Sequence, residues 1–264
     1  MSVVGDFYDN TYDEWGRLER HRIEFEMTKR ALNEFINNKS EILDVGGGPG
    51  RYSIYLSQKG HRVTLFDLSG EMVKQAVIHA EEAGTVLEKA IQGNVLELNK
   101  FNFGKQYDVV LCMGPLYHLL EEWERKEAIK QCLNKLKPGG IIVISFISAY
   151  APIIDCLKKY PEDIISSKER LLYYLKDGRN VVNSGFTDAY FINPDDVEEL
   201  MKVYNISKLK FFSTEGLGSL CERELSQLPE NIFQEWIDLF YCISENNNIL
   251  GSSEHLLYIG RKAQ

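Results

Sequence analysis

The sequence lacks the cysteine and histidine spacings that bind metals or form disulfide frameworks. Its five cysteines lie far apart, with no C-x-x-C pair and no histidine at zinc-ligand spacing. We therefore expect reduced thiols and predict no metal site. No basic segment followed by an apolar run begins the chain, and no stretch approaches the roughly 20 apolar residues of a membrane span. These absences predict a cytoplasmic protein without a membrane span.

Positive charge is also scarce. The 264 residues include 30 Lys and Arg against 39 Asp and Glu, which gives a formal net charge of −9. A chain with this balance has no overall basic field that would attract nucleic-acid phosphates. The composition therefore favours a small-molecule partner and predicts no nucleic-acid partner. It does not exclude a local basic patch. No pattern in the sequence fixes an oligomeric state.

The chain alternates between short apolar runs and helical patterns. Strands separated by helical segments of ten or more residues need right-handed crossovers, which predicts a doubly wound, mostly parallel α/β sheet of the Rossmann-like kind. Ligands bind such sheets beyond the carboxyl ends of the strands. The strand-like runs are 41–45, 62–67, 87–92, 107–112, 141–147, 206–212 and 255–259, seven in all, and helical patterns occupy 51–59, 70–83, 122–136 and 228–244.

A glycine-rich loop follows the first of these runs. Glycines at positions 46, 48 and 50 let the backbone turn sharply and approach a ligand closely. A dinucleotide-binding fingerprint needs a third glycine where this chain has Arg51, and no Gly-Lys-Ser/Thr of a phosphate-binding loop follows. NAD is therefore a poor fit to the loop.

Two acidic residues flank the loop region. Asp44 precedes the glycines, where a carboxylate repels a pyrophosphate but can bond, directly or through water, to the amino group of a cationic ligand. Asp67 ends the second strand-like run, where a carboxylate can accept both hydroxyls of a ribose. Taken by itself, Asp67 could be an ordinary solvated residue at the end of a strand. The glycine loop at the end of the preceding strand favours the ribose-binding role instead.

Five sequence signals occur in the order found in one enzyme family. With them, the chain resembles the class I S-adenosylmethionine-dependent methyltransferases over residues 40–148, and we assign it to their small-molecule branch. The resemblance implies S-adenosylmethionine as cofactor. The signals are the glycine loop at 42–50, the strand end at 65–69, the turn at 92–95, the run at 108–111 and the Lys-Pro-Gly-Gly at 137–140.

The resemblance also implies roles for single residues. Gly46 and Gly48 would lie against the methionine part of the cofactor, and Leu68 would pack on the adenine. Asn94 would meet the adenine amino group through an amide oxygen, where the family often has aspartate; an ordinary turn asparagine is the alternative. The predicted cofactor-binding residues are Asp44, Gly46, Gly47, Gly48, Asp67, Leu68, Asn94, Val95 and Met113.

The segment 113–118 should face the transferable methyl group. Enzymes that methylate exocyclic base amines carry Asn or Asp at its start, and Gly114 lacks the side-chain acceptor that would grip such an amine. The acceptor is therefore expected to be a small molecule with an O, N or C nucleophile. His118 is the candidate catalytic base, with a backbone-bonded histidine that shapes the pocket as the alternative.

Aromatic residues on either side of the core are candidates for contact with the acceptor. Tyr8 and Tyr12 precede the first strand and would act either in a lid over the cofactor or in packing, whereas Trp15 is expected to pack. Tyr117 is a predicted acceptor or lid residue in the segment after the fourth strand. An aromatic-rich cap would suit a planar or apolar acceptor.

We treat the chain, 1–264, as one methyltransferase domain with four parts. We expect residues 1–39 to form a helical lid, 40–148 the cofactor-binding core, 149–192 a helical cap insertion, and 193–264 the remainder of the sheet. Three other functions stay open: an RNA or protein methyltransferase on the same fold, a non-catalytic S-adenosylmethionine-binding protein, and, least favoured, an NAD-dependent oxidoreductase.

Overall fold

The computed structural model describes residues 15–16, 21–36, 38–181 and 187–264. Nine strands join one sheet in these residues. The strands are β1 Glu41–Val45, β2 Arg62–Asp67, β3 Lys89–Gln92, β4 Tyr107–Cys112, β5 Leu136–Ser148, β6 Arg179–Asn180, β7 Ala189–Ile192, β8 Ile206–Ser213 and β9 His255–Lys262. The helices are α1 Arg22–Phe35, α2 Arg51–Gln58, α3 Gly70–Glu82, α4 Glu122–Lys135, α5 Ala151–Lys159, α6 Ile164–Asp177, α7 Pro194–Lys202, α8 Glu222–Ser226, α9 Glu230–Ile243 and α10 Asn247–Leu250.

Seven of the strands form the doubly wound sheet that the alternating pattern predicts. Strands β3, β2, β1, β4 and β5 are parallel neighbours in that order. Strand β9 then pairs antiparallel with β5, and β8 pairs antiparallel with β9. The carboxyl ends of the five parallel strands consequently meet at one edge, together with the end of β8 and the start of β9.

The other two strands form a hairpin that the sequence pattern did not predict. Strand β7 pairs with Ile147 and Ser148 at the end of β5, and β6 pairs antiparallel with β7. Ile147 also pairs with His255 of β9, so β7 must lie along the opposite edge of β5, the edge that β4 occupies earlier in the strand. The hairpin therefore lies beyond the carboxyl end of β4, and residues 149–192 combine helices with strands.

Helices cover both faces of the sheet. Ile23 and Met27 of α1 are buried with Phe233 and Ile237 of α9 on one face. On the other face, α4 and α7 contribute a second buried cluster. Burial of each large apolar side chain contributes about 1.5–3 kcal/mol to folding, which holds α1 against the sheet next to the carboxyl edge. Within the described parts of the chain, no helix has both the length and the apolar character needed to cross a bilayer.

Candidate active site

The glycine loop after β1 is fixed by its neighbours as well as by its backbone. Gly46 has φ +72°, in the left-handed region that favours glycine. A Cβ at Gly46 would overlap the ring of Pro115, 2.6 Å from its Cγ. A Cβ at Gly114 would approach the Gly46 carbonyl oxygen to 2.9 Å. The segment after β4 therefore packs directly on the loop, and Gly114 is needed for that contact.

Asp67 connects the loop to the end of β2. Its Oδ2 accepts a hydrogen bond from the backbone N–H of Gly48 at 2.8 Å, and its Oδ1 accepts one from Ser69 at 2.8 Å. The Ser69 side chain in turn caps α3 by accepting the N–H of Met72. A carboxylate has about four acceptor positions, so Asp67 can accept hydrogen bonds from more than one donor at this point of the loop.

Asp44 lies under the loop. Only 2% of its surface is exposed, and Ser53 of α2 donates a hydrogen bond to its Oδ2 at 2.7 Å. Burial raises the pKa of Asp44 to about 6; the Ser53 hydrogen bond opposes this rise, and the charge of Asp67 adds to it. A Cβ at Gly47 would lie 2.9 Å from the same Oδ2, so glycine keeps the space above the carboxylate open. A cationic ammonium group would find a buried anionic partner here.

Asn94 follows β3 on the other side of the cavity. Its side-chain oxygen accepts the N–H of Leu96 at 2.9 Å and caps a short 3₁₀ helix, Val95–Lys100. This is the turn role that the sequence left open as the alternative. This capping hydrogen bond uses one acceptor position of the Asn94 amide oxygen and leaves the second. The contact between Asn94 and the adenine therefore stays a prediction.

The segment after β4 carries Tyr117 and His118 in a short 3₁₀ helix, Pro115–His118. The two rings meet edge to face with centroids 4.8 Å apart. His118 Nδ1 lies 3.0 Å from the carbonyl oxygen of Asp188, beside β7. Because a carbonyl only accepts, Nδ1 carries the proton. Burial lowers the pKa of His118 to about 4, against the opposing effect of the Asp188 carbonyl, so the imidazole is neutral at pH 7.

These groups surround one cavity of about 300 Å³ at the carboxyl edge. Every predicted site residue within the described parts of the chain lies on its wall, while Tyr8 and Tyr12 fall outside the described residues. The predicted residues on the wall are Asp44, Gly46, Gly47, Gly48, Asp67, Leu68, Asn94, Val95, Met113, Tyr117 and His118. Their individual contacts with a cofactor remain predictions.

Arg51 lines the same cavity but was not predicted as a site residue. In the sequence it was noted only because it stands where a dinucleotide-binding fingerprint needs a glycine. Its guanidinium donates to the Trp15 carbonyl oxygen through Nε at 3.0 Å and Nη2 at 2.8 Å. The guanidinium carbon also lies 4.0 Å from the centre of the Trp15 ring, which stacks on His79. Trp15 therefore packs, as expected, and Arg51 holds it next to the loop. Tyr52 and Met72 also line the cavity without having been predicted.

Comparison with known proteins decides the family. A family described as "Methyltransferase domain" matches residues 42–140, from β1 to the first part of β5. The matched stretch contains the glycine loop, Asp67, Asn94 and the segment after β4. This stretch is a methyltransferase domain of the class I S-adenosylmethionine-dependent kind. Its cofactor is S-adenosylmethionine, and the cavity lined by the glycine loop, Asp44 and Asp67 offers acidic partners for the amino group and the ribose of that cofactor.

Relatives of this methyltransferase differ in their named substrates. It is 29% identical to a ubiquinone biosynthesis O-methyltransferase of Shewanella halifaxensis over 67% of this chain and 66% of the relative. It is 27% identical to the tRNA 5-carboxymethoxyuridine methyltransferase of Escherichia coli K12 over 56% of each chain. The N-methyltransferase NodS of Bradyrhizobium japonicum, solved with S-adenosylhomocysteine, shares the fold at a TM-score of 0.57 and 13% identity, with each chain fully covered.

Proposed function

We propose that this methyltransferase transfers the methyl group of S-adenosylmethionine to a small molecule. The observation that carries the proposal is the contact between the start of β7 and the segment after β4. Asp188, beside β7, accepts the His118 hydrogen bond at 3.0 Å, so the cap meets the segment that should face the methyl group. An insertion in contact with this segment suits a small acceptor better than a polymer, and the net charge of −9 adds no field for nucleic acid.

The residues act by binding and alignment. The cofactor supplies a methyl group that its sulfonium already activates, so an in-line displacement needs no covalent catalyst from the protein. Asp67 would hold the ribose hydroxyls, and Asp44 would attract the amino group. Leu68 and Val95 would pack against the adenine, while Met113 would bring its backbone to the methionine part. Water exclusion by the cap would protect the transfer step.

His118 is the candidate proton acceptor. With Nδ1–H donated to the Asp188 carbonyl, the ring accepts at Nε2. A pKa of about 4 makes it a weak base, so we expect its contribution at the low end of general-base effects. The same hydrogen bond also positions the cap, so His118 would serve both proton transfer and pocket shape.

The test uses S-adenosylmethionine labelled with tritium in the methyl group. The purified protein is incubated with three separate pools: a small-molecule extract, total RNA and total protein. We expect label in the small-molecule pool, none with Asp67→Ala, and an unchanged amount with the exposed control Glu97→Ala. Label in RNA or protein would overturn the small-molecule acceptor and would instead favour the activity class that the tRNA-modifying relative carries.

A further inference from the structure

Arg125, near the start of α4, is a buried cation beside the candidate active site. Only 5% of its surface is exposed. Among the residues that the structure describes, no carboxylate forms an ion pair with it. Glu121 pairs with Arg179 instead. Glu122 pairs with Lys126. Burial lowers the pKa of Arg125, but an arginine side chain stays charged in proteins. The groups that the guanidinium contacts must therefore stabilise its charge.

The guanidinium binds the segment that carries His118. Its Nη1 donates hydrogen bonds to the carbonyl oxygens of Leu119 at 2.6 Å and of Leu120 at 2.9 Å. These two residues directly follow the short 3₁₀ helix Pro115–His118. A charged donor makes both hydrogen bonds stronger than bonds between neutral groups. Arg125 therefore fixes the end of the 3₁₀ helix from the start of α4.

The same guanidinium stacks on the β6–β7 hairpin. Its carbon lies 3.5 Å from the centre of the Tyr190 ring on β7, which is a cation–π contact. Gly178, just after α6, also adjoins this ring, since a Cβ there would lie 2.8 Å from the ring Cε2. Tyr190 is two residues from Asp188, whose carbonyl oxygen accepts the His118 hydrogen bond. Arg125 and His118 therefore connect the same two parts of the protein.

The two contacts together need an arginine. A lysine ammonium could donate to both carbonyl oxygens, but it has no planar group to lie on an aromatic ring. A methionine would fill the space without donating. An ion pair between Arg179 of β6 and Glu121 also joins the hairpin to α4, but both of its side chains are exposed. Exposed ion pairs contribute little to stability, so the buried contact of Arg125 is the stronger attachment.

Arg125 is not on the cavity wall, but its contacts adjoin the wall. Leu119 and Glu124 line the cavity together with Tyr117 and His118. Because Leu119 is adjacent to His118, a shift of the Leu119 carbonyl would move the imidazole. A displacement of about 1 Å in a group that aligns a reaction can lower the rate about 100-fold. Arg125 thus acts on the site through the segment that it holds.

We propose that Arg125 is a positioning residue for methyl transfer, which holds the segment after β4 against the β6–β7 hairpin so that His118 keeps its hydrogen bond to the Asp188 carbonyl. The inference rests on the proposed function and deepens it, because it assigns the residue that sets the geometry of the candidate proton acceptor. Arg125 touches neither the cofactor nor the acceptor in this assignment.

Nitrogen-15 NMR of the histidine side chains tests the assignment without an acceptor. The full-length protein is labelled at its imidazole nitrogens, and His118→Gln identifies the His118 signals. The variants are Arg125→Met, Arg125→Lys, Tyr190→Leu and Tyr190→Phe, with Lys130→Met at an exposed position of α4 as the matched control. The spectra report which ring nitrogen carries the proton and the pKa of the ring. Calorimetry with S-adenosylhomocysteine reports whether each variant is folded.

In the wild-type protein we expect the proton on His118 Nδ1 and a pKa of about 4. Arg125→Met should shift part of the proton population to Nε2. It should also raise the pKa of His118 toward the ordinary value of 6.5, because burial is the main cause of the low value and is partly lost. Arg125→Lys should give a smaller change, and Tyr190→Leu a change in the same direction. Tyr190→Phe keeps the ring and should match the wild type, as should Lys130→Met.

Two further readouts separate positioning from general stability. The double variant Arg125→Met, Tyr190→Leu should change the pKa of His118 by less than the sum of the single changes, because both variants remove the same stacking contact. Methyl transfer to the small-molecule pool should fall about 10-fold to 100-fold in Arg125→Met, while the dissociation constant for S-adenosylhomocysteine stays the same.

A His118 ring in Arg125→Met with the proton position and pKa of the wild type would overturn the inference, as would additive changes in the double variant. If Arg125→Met fails to fold, Tyr190→Leu decides, since an unchanged His118 there would equally overturn it. The NMR readouts do not depend on the acceptor. Label in RNA or protein in place of the small-molecule pool would overturn the proposed function, and the His118 signals would still decide the role of Arg125.

Discussion

The backbone N–H of Gly48 donates a hydrogen bond to Asp67 Oδ2 at 2.8 Å, which joins the glycine loop after β1 to the end of β2. Residues 19 positions apart are thereby held at one point of the cavity wall. The bond explains why the loop and the acidic strand end belong together in the sequence signature. The carboxylate that would bind ribose also shapes the loop that would hold the methionine part.

Gly46 offers a direct test of the loop packing. Gly46→Ala should lower the free energy of unfolding by about 2–4 kcal/mol, because it combines a left-handed backbone with overlap on Pro115. Gly104 has the same φ of +72°, but a Cβ there would meet nothing within 4 Å, so Gly104→Ala should cost only about 1 kcal/mol. Urea unfolding measures both. Equal losses would contradict the contact between the loop and Pro115.

Asp44 should make stability depend on pH. Burial raises its pKa in the folded protein to about 6, above the ordinary value of 3.8, so between these pH values the folded state binds more protons than the unfolded state. Stability should therefore fall by up to about 3 kcal/mol from this residue as pH rises from about 4 to 6. Asp44→Asn should flatten that slope in urea unfolding. An identical slope in the variant would exclude Asp44 as its source.

His118→Gln tests the role of the imidazole. The methyl-transfer rate at pH 7 should fall about 100-fold, the low end for a general base, while the dissociation constant for S-adenosylmethionine stays the same. With a pKa of about 4, the wild-type rate should show no inflection from His118 between pH 6 and 8. Unchanged turnover in the variant would remove the proton-acceptor role and leave the contact with Asp188 as its function.

Arg51 should control the exposure of Trp15. In a Trp123→Phe, Trp236→Phe background, Trp15 is the remaining tryptophan, and its quenching by acrylamide reports access to the ring. Arg51→Lys should increase quenching because lysine cannot supply two donors and a planar stacking group together. Arg62→Lys, at a surface ion pair with Glu41, is the matched control. Equal quenching in both variants would contradict the Arg51 contact.

Local patterns predicted most of the core. Strands β1, β2 and β4 begin and end where the apolar runs do, because a parallel strand buried on both faces reads as an uninterrupted apolar segment. The glycine loop and Asp67 were found for a related reason. Their positions follow directly from the strand ends, which bring them to the same edge of the sheet.

Features that depend on distant contacts were missed. Strand β7 has only four residues, and its place is set by pairing with the end of β5, about forty residues earlier. In the sequence, Gly114 was interpreted as the absence of a side chain that would bind a base amine. In the structure, a glycine is needed there because a Cβ would approach the Gly46 carbonyl oxygen too closely. Arg51 looked like a missing glycine because its partner, Trp15, lies 36 residues away. The polar cluster of Glu24, Glu215 and His255 joins three distant segments and leaves no local signal in the sequence.

The measurement that tests the account most directly is calorimetric titration with S-adenosylmethionine, S-adenosylhomocysteine and NAD, for the wild-type protein and Asp67→Ala. We predict micromolar binding of the first two ligands, none of NAD, and at least a 10-fold loss in the variant, since a charged hydrogen bond contributes about 1.5–3 kcal/mol. Binding of NAD in preference to the sulfonium cofactor, or equal affinities in the two proteins, would contradict the assignment of this cavity.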